Sequence, residues 1–141
     1  MKQYVEFILH HPYLFLALIG LLTTLIGSEL RRRLLGLKEV SPLEATQLLN
    51  HEDAVLLDVR EPQEYQDGHL PNSIRIPLGT LRDKVTSLEK HRERPIIVVC
   101  RSGNRSAQAV HLLKQQGYQT VYNLSGGLHA WRNANLPVSK K

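Results

Sequence analysis

The sequence predicts an α/β fold, a parallel sheet flanked by helices, preceded by one transmembrane helix. Three observations carry that expectation. Short apolar runs alternate with helical stretches from Lys38 onward. The strongest of these runs, Ile96–Val99, opens into a polar, glycine-containing loop and then a helix. Ahead of the alternation, Phe7 to Ser28 contains no Asp, Glu, Lys or Arg.

Taken in order, Ser41-Pro42 with Glu44 has the form of a helix start, a Ser cap with Pro at the first helical position, and leads into Ala45–Leu49. Ala54–Leu57 ends in Asp58 and reads as a buried strand. Glu61–Tyr65, around Pro62, reads as a short helix, Ser73–Ile76 as a strand stopped by Pro77, and Leu81–Leu88 as a helix. Pro95 opens the Ile96–Val99 strand, whose β-branched residues favour extended backbone. Ser106–Gln116 is helical, with Ala107, Val110 and Leu113 on one face and Gly117 at its end. Val121–Leu124 is a strand, Gly126-Gly127 a turn, and Leu128–Asn133 a last short helix. Such alternation implies a parallel sheet with helices on both faces. The expected division is residues 1–38 as anchor and basic flank, then 39–141 as the folded domain.

The 141 residues suffice for one core. Of the net charge of +5, residues 1–38 carry +3, from five basic and two acidic side chains. The excess is thus one short cluster, and no basic run is interleaved with aromatics, so nucleic acid is not an expected partner. One cysteine excludes an internal disulfide and argues against a cysteine-based zinc site. The seven histidines show no i, i+4 pairing, and no metal is expected.

The charge-free run just meets the roughly 20 helical residues that span a bilayer. Tyr4 and Tyr13 would be interfacial anchors. A cleaved signal peptide is disfavoured, since Ser28 is followed by Glu-Leu-Arg-Arg-Arg with no small-residue cleavage pattern before it. Arg31–Arg33 and Lys38 outweigh the N-terminal flank. Positive flanks stay on the cytoplasmic side, so the expectation is a single pass through the cell's inner (plasma) membrane, N-terminus outside, with the domain in the cytoplasm. A free thiol agrees with that reducing compartment.

In parallel sheets, ligands sit at the carboxyl ends of strands. Cys100 immediately follows the strongest strand, and Arg101-Ser102-Gly103-Asn104-Arg105 then leads into a helix. A tight loop feeding a helix N-terminus turns backbone N–H groups inward and adds the positive end of the dipole. Two arginines add full charges. Together these favour a thiolate over a thiol and can hold an anionic substrate.

Four stretches, LLDVREPQEY (Leu56–Tyr65), GHLPNS (Gly68–Ser73), CRSGNRS (Cys100–Ser106) and LSGGLHAW (Leu124–Trp131), resemble the rhodanese family in order and spacing, over about Val40 to Pro137. The resemblance implies a sulfurtransferase with Cys100 as nucleophile, carrying a sulfane sulfur as a persulfide. It implies that the amides of Arg101, Ser102, Gly103, Asn104 and Arg105 cradle the sulfur, Arg101 attracts an anionic donor, and Arg105 braces loop carbonyls. Asp58 and Arg60 are then structural supports, His69 is a motif residue favoured for a structural hydrogen bond, and Gly126, Gly127 and Trp131 form a packed turn. The expected partners are a small donor such as thiosulfate or a persulfide and a thiol or cyanide acceptor, with a protein persulfide carrier among the options. No cofactor is implied. Cysteine phosphatases are the nearest rival, but their loops place five residues between Cys and Arg, where this chain has four. A membrane-tethered binding or regulatory module is the alternative of a different class.

Overall fold

The computed structural model describes residues 1–34 and 36–140, and the chain divides into two compact units, Met1–Gly36 and Leu37–Lys141. The first unit holds α1 (Lys2–His10) and α2 (Pro12–Leu34). The uninterrupted helix expected from residue 7 to 28 is instead broken at His11, whose φ of −130° and ψ of 52° are not helical. The cause is Pro12, which disfavours helical backbone in the residue before it and brings no N–H of its own. α2 therefore starts at the proline and runs on through Arg31–Arg33, a 23-residue helix of about 35 Å at 1.5 Å per residue. It is long and apolar enough to cross a membrane. Thr23, Thr24 and Ser28 donate their hydroxyls to the carbonyls of Gly20, Leu21 and Leu25, so these polar groups are satisfied within the helix.

The second unit is built on a five-stranded, wholly parallel sheet in the order β1-β5-β4-β2-β3. Its strands are β1 (Glu39–Val40), β2 (Val55–Asp58), β3 (Ile74–Arg75), β4 (Ile96–Val99) and β5 (Val121–Leu124). The helices are α3 (Pro42–His51), α4 (Pro62–Tyr65), α5 (Leu78–Lys84), a 3-10 segment (Val85–His91), α6 (Asn104–Gln115) and α7 (Gly127–Asn133). Every residue of β2 and β4 is buried, as parallel strands covered on both faces require. The two-residue side-chain period splits these strands between two cores. Leu57, Ile96, Val98 and Val121 pack with Leu81, Val85, Ala109, Val110 and Leu113. Leu56, Ile97, Val99 and Leu124 pack with Ala45, Leu128 and Trp131.

Several boundaries differ from the sequence expectation. The strand expected over 73–76 is only Ile74–Arg75, and the helix expected over 81–88 is Leu78–Lys84 continued as the 3-10 segment. Pro77 immediately precedes that helix, and the β-branched pair Val85-Thr86 lies where α gives way to 3-10 winding. The helix expected from Ser106 starts two residues earlier, so Asn104 and Arg105 form its first turn and do not belong to the loop. β1 was not anticipated, because two residues, one of them charged, carry no periodic signal.

The chain steps outward from β2 to β3, then returns to the other side of β2 for β4 and goes on to β5. The change of direction lies between β2 and β4. Asp58 closes β2 and Cys100 follows β4, so both sit at the carboxyl edge where such a switch opens a crevice.

Candidate functional site

Cys100 is buried, with 1% of its surface exposed. The loop that holds it is short: Arg101, Ser102, then Gly103, whose φ of 107° is left-handed and suits glycine. That turn aims the Gly103 N–H at Cys100 Sγ, 3.0 Å away. Ser106, the third residue of α6, brings its Oγ within 3.2 Å of the same sulfur. Burial pushes the thiol's pKa up, but the Ser106 hydroxyl and the amides of Ser106, Gly103 and Ser102 together outweigh it and hold Cys100 below the ordinary thiol range. The sulfur is thus set up to carry negative charge without a metal.

The loop is closed from behind by α7. The N–H groups of Leu128 and His129 donate to the carbonyls of Cys100 and Arg101 at 2.9 and 3.3 Å. Gly127 makes the approach possible, since a Cβ there would lie 2.5 Å from the Cys100 carbonyl oxygen. The Gly-Gly turn seen in the sequence is therefore where two backbones meet.

The two arginines, Arg101 in the loop and Arg105 in the first turn of α6, differ sharply. Arg101 is exposed. Arg105 was expected to brace loop carbonyls, but its two terminal nitrogens each donate to Glu64 of α4 at 2.7 Å. Hydrogen bonding from Arg105 depresses the Glu64 carboxyl to about 2. The pair neutralises one of the two expected cations, and ties α4 to α6. A recess of about 80 Å³ beside the loop is lined by Arg60, Glu64, Asp67, Arg101, Leu128, His129 and Arg132. Ser102 and Asn104 are exposed.

The supporting residues form a second network. Arg60 Nε and Nη2 donate to both oxygens of Asp58 at 2.7–3.1 Å, with Asp58 0% and Arg60 2% exposed. Arg60 also donates to the carbonyls of Gly68 and Glu64, joining the end of β2 to the segments that follow it. His69 is buried. Its Nε2 accepts from Arg75 at 2.7 Å, which leaves Nδ1 to donate to the Leu70 carbonyl at 3.1 Å. Its backbone pairs with Ser139.

Sequence reasoning missed three residues of the site. Asn123 is a buried polar side chain on β5, and its signal was a polar residue inside the run Val121–Leu124. Ser106 and Glu64 lie in the motif stretches Cys100–Ser106 and Leu56–Tyr65, but the sequence assigns neither side chain a role.

The rhodanese-like domain family matches residues 41–134. The chain is 33% identical over 139 residues to uncharacterized protein YibN of Escherichia coli strain K12, covering 98% of this chain and 97% of that one. It is 36% identical over 100 residues to thiosulfate sulfurtransferase GlpE of Pseudoalteromonas translucida, covering 71% and 93%. Among solved structures, a rhodanese-related protein from Thermoplasma volcanium superposes with a TM-score of 0.67 at 35% identity, over 74% of this chain and 99% of that one. With the parallel sheet, the cysteine loop and these likenesses together, the chain belongs to the rhodanese-like domain family.

Proposed function

We propose that the chain is a sulfurtransferase that passes a sulfane sulfur through a persulfide on Cys100. The observation that carries this reading is the convergence of the Gly103 N–H and the Ser106 hydroxyl on one buried sulfur. The Cys100 thiolate attacks the outer sulfur of thiosulfate or of a persulfide. The donor's S–S bond breaks, its electron pair leaves with sulfite or a thiolate, and the sulfur stays as Cys100 persulfide. A thiol or cyanide then attacks that outer sulfur, and Cys100 departs again as thiolate. As the single cysteine in the chain, Cys100 has no internal resolving partner, so the acceptor comes from outside, a small nucleophile or a protein persulfide carrier. Exposed Arg101 offers a charge for an anionic donor.

Loop length and pairing weigh against phosphoryl transfer. Four residues separate Cys100 from Arg105, and the Arg105 guanidinium that would have to bind phosphate is occupied by Glu64. The second part of the proposal is placement: α2 crosses the inner (plasma) membrane once, with the N-terminus outside and the domain cytoplasmic. Arg31–Arg33 in its last turn support that direction.

Thiosulfate:cyanide transfer by the full-length chain tests the reading. Cys100→Ser should abolish turnover while its melting curve matches the parent's. Undiminished turnover in the variant would exclude Cys100 as carrier, and a parent chain inert toward both thiosulfate and persulfide donors would favour a tethered binding module.

A further inference from the structure

Behind Cys100 the Ser106 hydroxyl that meets the sulfur is also held by Asn123, a buried side chain to which the transfer reaction assigns no part. Ser106 Oγ is 3.2 Å from Cys100 Sγ and donates to Asn123 Oδ1 at 2.5 Å. Asn123 Nδ2 donates in turn to the Gly103 carbonyl at 3.1 Å and faces the Glu39 carboxylate at 3.5 Å. Cys100, Ser106 and Asn123 are each no more than 2% exposed. The orientation of the Asn123 amide follows from its neighbours. A carbonyl and a carboxylate can only accept, so the NH2 group faces them and Oδ1 faces Ser106. Oδ1 is also only an acceptor. The Ser106 hydroxyl has one hydrogen, and two groups call on it.

We propose that Ser106 and Asn123 form a hydroxyl switch that follows the charge on Cys100 through the transfer cycle, Asn123 acting as the positioning residue. When Sγ is uncharged, as thiol or as the inner sulfur of a persulfide, the hydroxyl hydrogen rests on Asn123 Oδ1. When Sγ becomes anionic, the O–H rotates to donate to it. No proton leaves Ser106 and no bond to sulfur forms. The gain falls on the step in which the acceptor takes the outer sulfur and Cys100 leaves as thiolate, where a new donor strengthens as charge develops. The place of the switch in that cycle rests on the sulfurtransferase reading, but its hydrogen-bond competition does not.

Other charged groups border this pocket: exposed Arg101 in the loop, exposed His129 on α7, the Arg105–Glu64 pair between α6 and α4, and Glu39 on β1 behind Asn123. All of them are retained in the variants below.

The test is titration of the free thiol in the full-length chain, followed by thiolate absorbance with no sulfur donor present. Ser106→Ala should lower the ionisation constant of Cys100 about tenfold, since a hydrogen bond to a charged group is lost. Ser106→Thr, which keeps the hydroxyl, should restore most of it. Asn123→Ala should shift the constant the other way, by about threefold, because the hydroxyl then belongs to the sulfur alone. In a Ser106→Ala background the Asn123 substitution should have no effect on it. Asn123→Ser serves as a second variant if the alanine form melts too low. An unchanged constant in Ser106→Ala, or an Asn123 effect of equal size in both backgrounds, overturns the switch. A chain that titrates as expected but transfers no sulfur leaves the switch standing and counts against the sulfurtransferase reading alone.

Discussion

At the scale of single residues, Arg101 in the loop and Arg105 in the first turn of α6 test whether charge or architecture governs the site. Arg101 is exposed beside the recess, so its charge meets a donor in the ground state and the transition state alike. Arg101→Ala should therefore raise KM for thiosulfate several-fold and leave kcat nearly unchanged. Arg105 is committed to Glu64 at the base of α6. Arg105→Ala should lower kcat and also cost about 1 kcal/mol of stability, a modest figure because both side chains keep a quarter to a third of their surface exposed. Steady-state kinetics beside urea unfolding separates the two outcomes, and an exchange of the two patterns would mean the roles are reversed. The setting of Cys100 could be read from the chain because it rests on local facts, a thiol after an apolar strand and a glycine turn before a helix. The partner of Arg105 could not be read, because Glu64 lies 41 positions away and meets it only when α4 and α6 dock. The same holds for Asn123, which reaches Ser106 and Gly103 across 17 and 20 positions.

At the scale of elements, the Glu64–Arg105 pair joins two helices that share no strand. The Glu64 carboxyl is held at about 2, against an ordinary 4.5, chiefly by the hydrogen bonds from Arg105. A carboxyl depressed in the folded state contributes stability that is complete above its unfolded pKa and is lost as the pH falls through its folded one. Glu64→Gln should accordingly be less stable than the parent near neutral pH. The gap should narrow as pH drops from about 4.5 toward 2, since the parent alone loses the bridge there. Melting temperatures of both proteins across that range check it, and a gap independent of pH would remove the ion pair from the account. Strand identity was legible in the sequence wherever burial was two-sided, as in Ile96–Val99. Edge elements were less so: β1 was missed and β3 was found but drawn one residue too long at each end, since both are two residues, too short to show a period, and their pairing is set by β5 and β2.

At the scale of the whole molecule, the two units pose separate questions. α2 exposes apolar side chains all along its length, and no polar stripe marks it as a surface helix. Carbonate extraction should leave the full-length chain in the membrane, whereas a chain beginning at Leu37 should be soluble and keep its transfer activity. In intact spheroplasts, external protease should spare the domain. Release by carbonate, or digestion of the domain from outside, would contradict the proposed topology. An apolar helix of spanning length was legible in the composition, but its start was misplaced, because Pro12 fits a first turn as well as it fits an interior break and apolar composition alone does not choose between them.

The central claim is that Cys100 holds a transferable sulfur. Mass spectrometry of the intact, full-length protein after incubation with thiosulfate tests it most directly. A gain of one sulfur atom should appear, localise by fragmentation to Cys100, disappear on addition of cyanide, and be absent from Cys100→Ser. A parent mass left unchanged by both thiosulfate and a persulfide donor, or a sulfur atom that cyanide cannot remove, would contradict the account.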